Sequence, residues 1–356
     1  MSSILAAVSL RWRRFGWRAA GVALVLSLGV GGAGATTTWT GGADDGKWTT
    51  AGNWSAGVPT GPNQAVFGGL GTSNTIGSIT AANFSGAVFN SGSYSFTLLS
   101  FSGSLTINGG AQQFTTAVGF NSGAVTITVA SGASLTLASG IARLAVTAEF
   151  KGAGDYYLKS IGTASGTFSK TGTGKLTLTG TSFAAPTVFS AGTLILGANP
   201  ARITFSSNVT LGADVTTQFQ LNGTGRGTTY DALDIAASSG PTVVTYGGTL
   251  ALDFGSTFAD GDVLDLFKYG TSTSANASSS FASVEASGLY SGTFTAVDSN
   301  TWTLVKGGHL FTFNETTGDL TVAAAPVPVP EPATCAVIVA GGALGLALWR
   351  RRAKRA

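Results

Sequence analysis

Apolar residues alternate with Ser or Thr in short runs set between glycine-rich turns through most of the chain. Ser104-Leu105-Thr106-Ile107, Ala124 to Val129, Ser134-Leu135-Thr136-Leu137, Lys175-Leu176-Thr177-Leu178, Thr193-Leu194-Ile195-Leu196 and Thr249-Leu250-Ala251-Leu252 each repeat with period two. That period predicts strands with one face buried and the other presenting hydroxyls to water. Away from the two ends no window of ten or more residues holds a 3.6-residue period, and Ile141 to Phe150 alternates as readily as it spirals, so little helix is expected. The apolar pairs recur at multiples near ten: Leu105 and Val125 stand 20 apart, Val125 and Leu135 stand 10 apart, and Leu176 and Leu194 stand 18 apart. Such spacing fits coils of about 20 residues, each with two or three short strands, within the range of solenoid repeats.

The ends read differently. Arg11, Arg13, Arg14 and Arg18 precede an apolar run from Ala19 to Val30 and the small residues Gly31 to Ala35. A basic stretch, a short apolar core and an A-x-A site at Ala33-Gly34-Ala35 are the marks of a secretory signal peptide over 1–35, cut by signal peptidase to leave Thr36 first; a retained signal anchor is the alternative. At the other end Pro326-Val327-Pro328-Val329-Pro330-Glu331-Pro332 is stiff and extended, because proline fixes φ and keeps its neighbour out of the helical region. Ala333 to Trp349 follows without a charge, 17 residues at the lower limit for a transmembrane helix, and Arg350, Arg351 and Arg352 form a cytoplasmic stop. Positive charge inside puts the body outside, in agreement with the signal peptide.

Charge changes the picture only when its position is considered. The whole chain carries +3, but between 36 and 349 there are ten bases and all sixteen acids, net −6, which removes the electrostatic argument for a nucleic-acid partner. A single cysteine, Cys335, excludes an internal disulfide framework and a thiolate zinc site. Cys335 is read as a small apolar filler, with lipidation as the alternative. Glycine at 52 of 356 residues is roughly twice the usual share and fits many tight turns.

Two segments resemble known families. Val329-Pro330-Glu331-Pro332-Ala333-Thr334, an apolar helix and terminal arginines resemble the PEP-CTERM sorting signal. That resemblance implies export by a Gram-negative bacterium that makes extracellular polysaccharide, retention in the inner membrane, and processing near the motif by an exosortase. Val329, Pro330, Glu331 and Pro332 would then be recognition residues for another protein. Phe168-Ser169-Lys170-Thr171-Gly172-Thr173-Gly174-Lys175-Leu176-Thr177-Leu178-Thr179-Gly180, continuing to Ala191-Gly192-Thr193-Leu194-Ile195-Leu196-Gly197, resembles the autotransporter-associated β-strand repeat. Trp39 to Pro59 resembles the opening of secreted proteins that carry this repeat, and the stretch from Gly227 to Phe267 resembles their terminal β region. The implied fold is a right-handed parallel β-helix.

The expectation is therefore an all-β solenoid: signal peptide 1–35, a β-helical body 36–224 opening on a Trp-rich cap and holding one repeat at about 168–198, a β region 225–325, and a sorting tail 326–356 with its membrane helix at 333–349. At about 20 residues per coil the body would stack about fourteen coils at about 4.8 Å. Its expected function is that of a non-enzymatic surface or extracellular-matrix protein, structural or adhesive, in contact with extracellular polysaccharide and needing no cofactor. The alternative is a polysaccharide-binding or polysaccharide-cleaving β-helix enzyme, which would need two carboxylates within about 10 Å in a cleft. An autotransporter passenger lacks its barrel, since a short arginine-rich tail stands where many alternating strands would be required.

Candidate carboxylates are Asp231 and Asp234, expected on opposite strand faces, and Asp260, Asp262 and Asp265, the first two read as turn residues and the three together as a weak calcium set. His309, after Gly307-Gly308 and before a strand, reads as a surface histidine, since no nucleophile elbow or triad spacing accompanies it. Trp39, Trp48 and Trp54 either pack over the first coil or offer a platform for sugar rings, and packing is the favoured reading.

Overall fold

A computed structural model describes residues 35–60, 63–68, 75–76, 86–97, 99–100, 103–236, 242–270, 273–275, 279–327 and 332–353. The signal peptide through Gly34 and its cleavage residue Ala33 lie outside these residues, as do Val329, Pro330 and Glu331 of the tail motif.

All six alternating runs lie in strands, and the ambiguous stretch from Ile141 forms two, Ile141–Leu144 and Ala148–Lys151. Period-two alternation explains this. In Val125–Val129 every second residue is buried and the threonines between are half-buried, so one face of the strand meets the core. The strands pair in parallel with strands of neighbouring windows, forming three rows. One row joins Ser104–Ile107, Val125–Val129, Ala148–Lys151, Phe168–Lys170 and the start of Thr187–Ile195. A second joins Ala111–Phe114, Ser134–Leu137, Asp155–Leu158, Lys175–Leu178 and the end of Thr187–Ile195. A third joins Val118–Phe120, Ile141–Leu144, Ile161–Ala164, Ser182–Phe183 and Arg202–Phe205.

From Gly86 to Leu221 paired residues stand 18 to 24 apart, close to the spacing read from the sequence. Beyond Leu221 the intervals widen to between 30 and 35. The first row accordingly counts eleven strands among the described residues, fewer than the fourteen coils expected from a constant period. The architecture is all-β with long parallel sheets, β-helix-like. Its interior is one apolar cluster running from Trp39 to Val322.

The parallel rows run on through residue 225 and end at a five-stranded sheet whose strands, Val263–Asp265, Thr295–Ala296, Thr301–Lys306, His309–Asn314 and Asp319–Ala324, are antiparallel. At the other end Trp54 bridges Trp39, the Ser55 amide donates to the Thr38 carbonyl, and the Thr38 amide donates to Ser55 Oγ, so the loop satisfies the edge of the first strand.

The tail forms a helix, Pro332–Ala353, in which Val337, Val339, Leu344, Leu346, Leu348 and Trp349 are all exposed. The expected membrane-spanning helix is corrected here: among the described residues no helix is long and apolar enough to cross a membrane. The uncharged run 333–349 rises only about 25 Å against a hydrocarbon core of about 30 Å, and Gly341, Gly342 and Gly345 dilute it.

Candidate functional site

Lys170 lies in a core row. In the first row Ile127, Phe150, Lys170 and Phe189 stand in register, and all four side chains are buried. A lysine between two phenylalanines must satisfy its ammonium internally, and Nζ donates to the carbonyls of Gly172 at 2.5 Å and Ala191 at 3.2 Å. Burial lowers its pKa to about 8, with the Asp155 charge acting in the opposite direction. The glycines of the same segment make room for this corner. A Cβ at Gly172 would strike the Gly152 carbonyl and one at Gly174 the Gly154 carbonyl. Gly192, at φ +89°, passes so close that a Cβ there would meet Lys170 Nζ at 2.8 Å. The lysine and glycines of the repeat-like segment thus build one corner of stacked coils.

Two of the acidic candidates are buried. Asp231 is fully buried and accepts from the amides of Ala201 and Gln220, both at 2.7 Å; burial raises its pKa to about 7. Asp234 is buried too, 2.5 Å from Arg202 Nε and 2.6 Å from Arg226 Nη1. Asp231 precedes strand Ala232–Ile235 and takes its amides from Ala201 and Gln220, whereas Asp234 lies within the strand in register with Thr204 and Lys268, on the face away from Leu233 and Ile235, and takes the guanidinium groups of Arg202 and Arg226. Arg226 also donates to the Asp265 carbonyl at 2.9 Å, while the Asp265 amide donates to Tyr230 Oη at 3.2 Å. These contacts close the free side of edge strand Val263–Asp265.

Asp260-Gly261-Asp262 is a turn, with Gly261 at φ +98° and Asp262 Oδ2 accepting the Ala259 amide at 2.7 Å. Asp260 Oδ1 meets His309 Nδ1 at 2.7 Å, a pair separated by 49 residues that no local pattern announces. Asp265 points to Arg226 instead. Among the described residues no group of three or more His, Cys, Asp and Glu is placed to hold a metal ion.

Trp39, Trp48 and Trp54 are buried around Phe67, with Trp48 and Trp54 edge-on at 4.6 Å and Trp54 Nε1 donating to the Trp48 carbonyl at 2.8 Å. They pack over the first coil and offer no platform. Asp45 supports their loop by accepting from Thr50 Oγ1, the Lys47 amide and Asn53 Nδ2, and the Thr50 bond leads in holding its pKa down to about 2.

Glu315 had no signal in the sequence. Buried where the antiparallel sheet meets the parallel rows, its Oε1 accepts from Trp302 Nε1, the Phe281 amide and Ser280 Oγ at 2.8, 3.0 and 3.0 Å. Its Oε2 has no partner among the described residues, and burial raises the pKa of the carboxyl.

Of the sorting and processing residues, Pro332 opens the tail helix, Arg350, Arg351 and Arg352 are exposed in its last turn, and the exposed Ala35 accepts the Gln64 amide through its carbonyl at 3.0 Å. The fold does not bring these groups together with the carboxylates above. Compared with known proteins, the chain matches no family model, no curated protein and no solved structure. The two family resemblances therefore rest on their motifs alone.

Proposed function

We propose that this chain is an exported, non-enzymatic protein of the cell surface or extracellular matrix, structural or adhesive, whose body is a right-handed parallel β-helix. The observation that carries the reading is the three-row register from Gly86 to Leu221, in which a window of 18 to 24 residues recurs with apolar side chains inward. Stacked windows of this kind give an extended surface built by repetition, suited to many weak contacts. The outward positions carry Ser and Thr in register, as in Ser104 beside Thr126 and Thr106 beside Thr128, a hydrated surface fit for a matrix.

In this reading signal peptidase cuts after Ala35 and an exosortase processes the chain at Val329-Pro330-Glu331-Pro332. Expression of the full chain in an exosortase-bearing host, followed by the mass of the mature protein, tests the route. Loss of both ends, abolished at the tail by Glu331→Ala, is the expected result. An intact tail in both proteins would overturn sorting.

A further inference from the structure

Five of the ten bases between 36 and 349, namely Arg143, Lys151, Lys159, Lys170 and Lys175, fall within residues 143–175 together with only Glu149 and Asp155. That segment carries +3, while the rest of 36–349 carries −9. The fold stacks these bases on successive windows of the parallel rows.

Their states differ. Lys170 is buried, and Lys151 pairs with Glu149 at 2.8 Å. Arg143, Lys159 and Lys175 are exposed, and their charged groups form no ion pair within 4 Å among the described residues, although the Lys175 amide donates to Asp155 Oδ1 at 3.4 Å. Later in the chain, by contrast, Arg202 and Arg226 are spent on Asp234 and Asp265.

The free cations sit beside groups of a second kind. Tyr157, 37% exposed, is the exposed aromatic side chain of the coiled body among the described residues, and it stands in register between Thr136 and Thr177. Lys159 follows at the end of the same strand, and the next strand, Ile161–Ala164, places Thr163 in register with Arg143. Arg143, Leu144, Thr163, Ala164 and Ser165 line a shallow depression of about 350 Å³. An aromatic face, a guanidinium, two ammonium groups and several hydroxyls thus lie on three successive windows, with Arg143 on the third row and Tyr157, Lys159 and Lys175 on or next to the second.

From this juxtaposition we infer that the surface around Tyr157, Lys159, Lys175 and the Arg143 depression binds an anionic, carboxylate-bearing polysaccharide. A guanidinium takes a carboxylate through two parallel hydrogen bonds, and the lysines meet further carboxylates as point charges. A tyrosine face covers the apolar side of a sugar ring while hydroxyls bond its rim. The acidic remainder of the body repels the same polymer, which confines it to this belt. The inference rests on the surface-protein reading above and supplies its ligand class.

The test titrates the full-length chain with polygalacturonate, with neutral dextran and double-stranded DNA as comparison polymers, by calorimetry in 50 and 500 mM salt. Polygalacturonate is expected to bind at least tenfold more tightly than either comparison polymer, and to weaken at the higher salt. The triple substitution Arg143→Gln, Lys159→Gln, Lys175→Gln is expected to cost at least tenfold, Tyr157→Ala a smaller factor, and Lys306→Gln, on the terminal sheet, nothing. Protection of Lys159 and Lys175 from acylation by bound polymer reads the same contact in the unsubstituted chain, should the triple variant misfold. Equal binding of dextran or DNA, an unaffected triple variant, an equal loss with Lys306→Gln, or unprotected lysines would each overturn the inference. Failure here leaves the export route standing, since that is read from the mass of the mature protein.

Discussion

At the scale of single residues the decisive chemistry is what burial does to ionisable groups. Lys170 is folded with a pKa of about 8 against 10.5 when free, so between those values the unfolded chain binds the extra proton and stability rises with pH. Lys170→Met keeps the length and apolar stem but leaves the Gly172 and Ala191 carbonyls without their donor. A loss of about 1–3 kcal/mol at pH 7 is expected, and the gain between pH 8 and 10.5 should vanish from denaturant titrations. Gly174 is constrained by space, since its φ is ordinary while the Gly154 carbonyl occupies the place of a Cβ. Gly174→Ala should destabilise by about 2 kcal/mol or more, measured as a lower melting temperature, because the obstacle is backbone and cannot rotate away.

At the scale of elements the fold works by closing edges. The loop from Thr40 to Ser55 covers the first strand and brings Trp48 and Trp54 to join that strand's Trp39 against Phe67. Trp54→Ala removes the ring that touches the other two and the donor to the Trp48 carbonyl. A cost of about 3–5 kcal/mol is expected, with concentration-dependent aggregation by light scattering as the edge of Thr36–Trp39 opens. Strand positions were legible because each alternates over four or more residues. The cap's packing was favoured by the spacing of its tryptophans and is set by the aromatic contacts around Phe67. By contrast, the clamp of Arg226 on Asp234 and Asp265 and the junction at Glu315 left no sequence signal, because their members stand 8, 39 and up to 35 residues apart and share no local pattern.

At the scale of the whole molecule, pH acts through buried groups of opposite sign. Asp231 is raised from 3.8 to about 7, so its contribution is complete below about pH 4 and is lost as pH rises through 7, whereas the Lys170 gain begins only near 8. Stability should therefore fall from pH 4 to 7 and recover above 8. Asp231→Asn should flatten the acidic limb while lowering stability by about 1–3 kcal/mol, because an amide opposes one of the two backbone donors, from Ala201 and Gln220, with a donor of its own. Denaturant titrations from pH 4 to 10 on the two proteins check both limbs.

The local grammar is written in the residues themselves: period-two runs make strands, glycines make corners, and a spacing near 20 makes successive windows pair in parallel. These follow from side-chain alternation and backbone sterics, which act within a few residues. Only the tertiary structure decided which polar residues face inward. Lys170 and Asp231 look like surface residues in any window of the sequence, yet the coils on either side remove them from water and supply carbonyls or amides in its place. The same stacking places Arg143, Lys159 and Lys175 on successive windows. Distance along the chain is uninformative there, because one turn of about 20 residues returns the backbone to within one strand spacing of where it began.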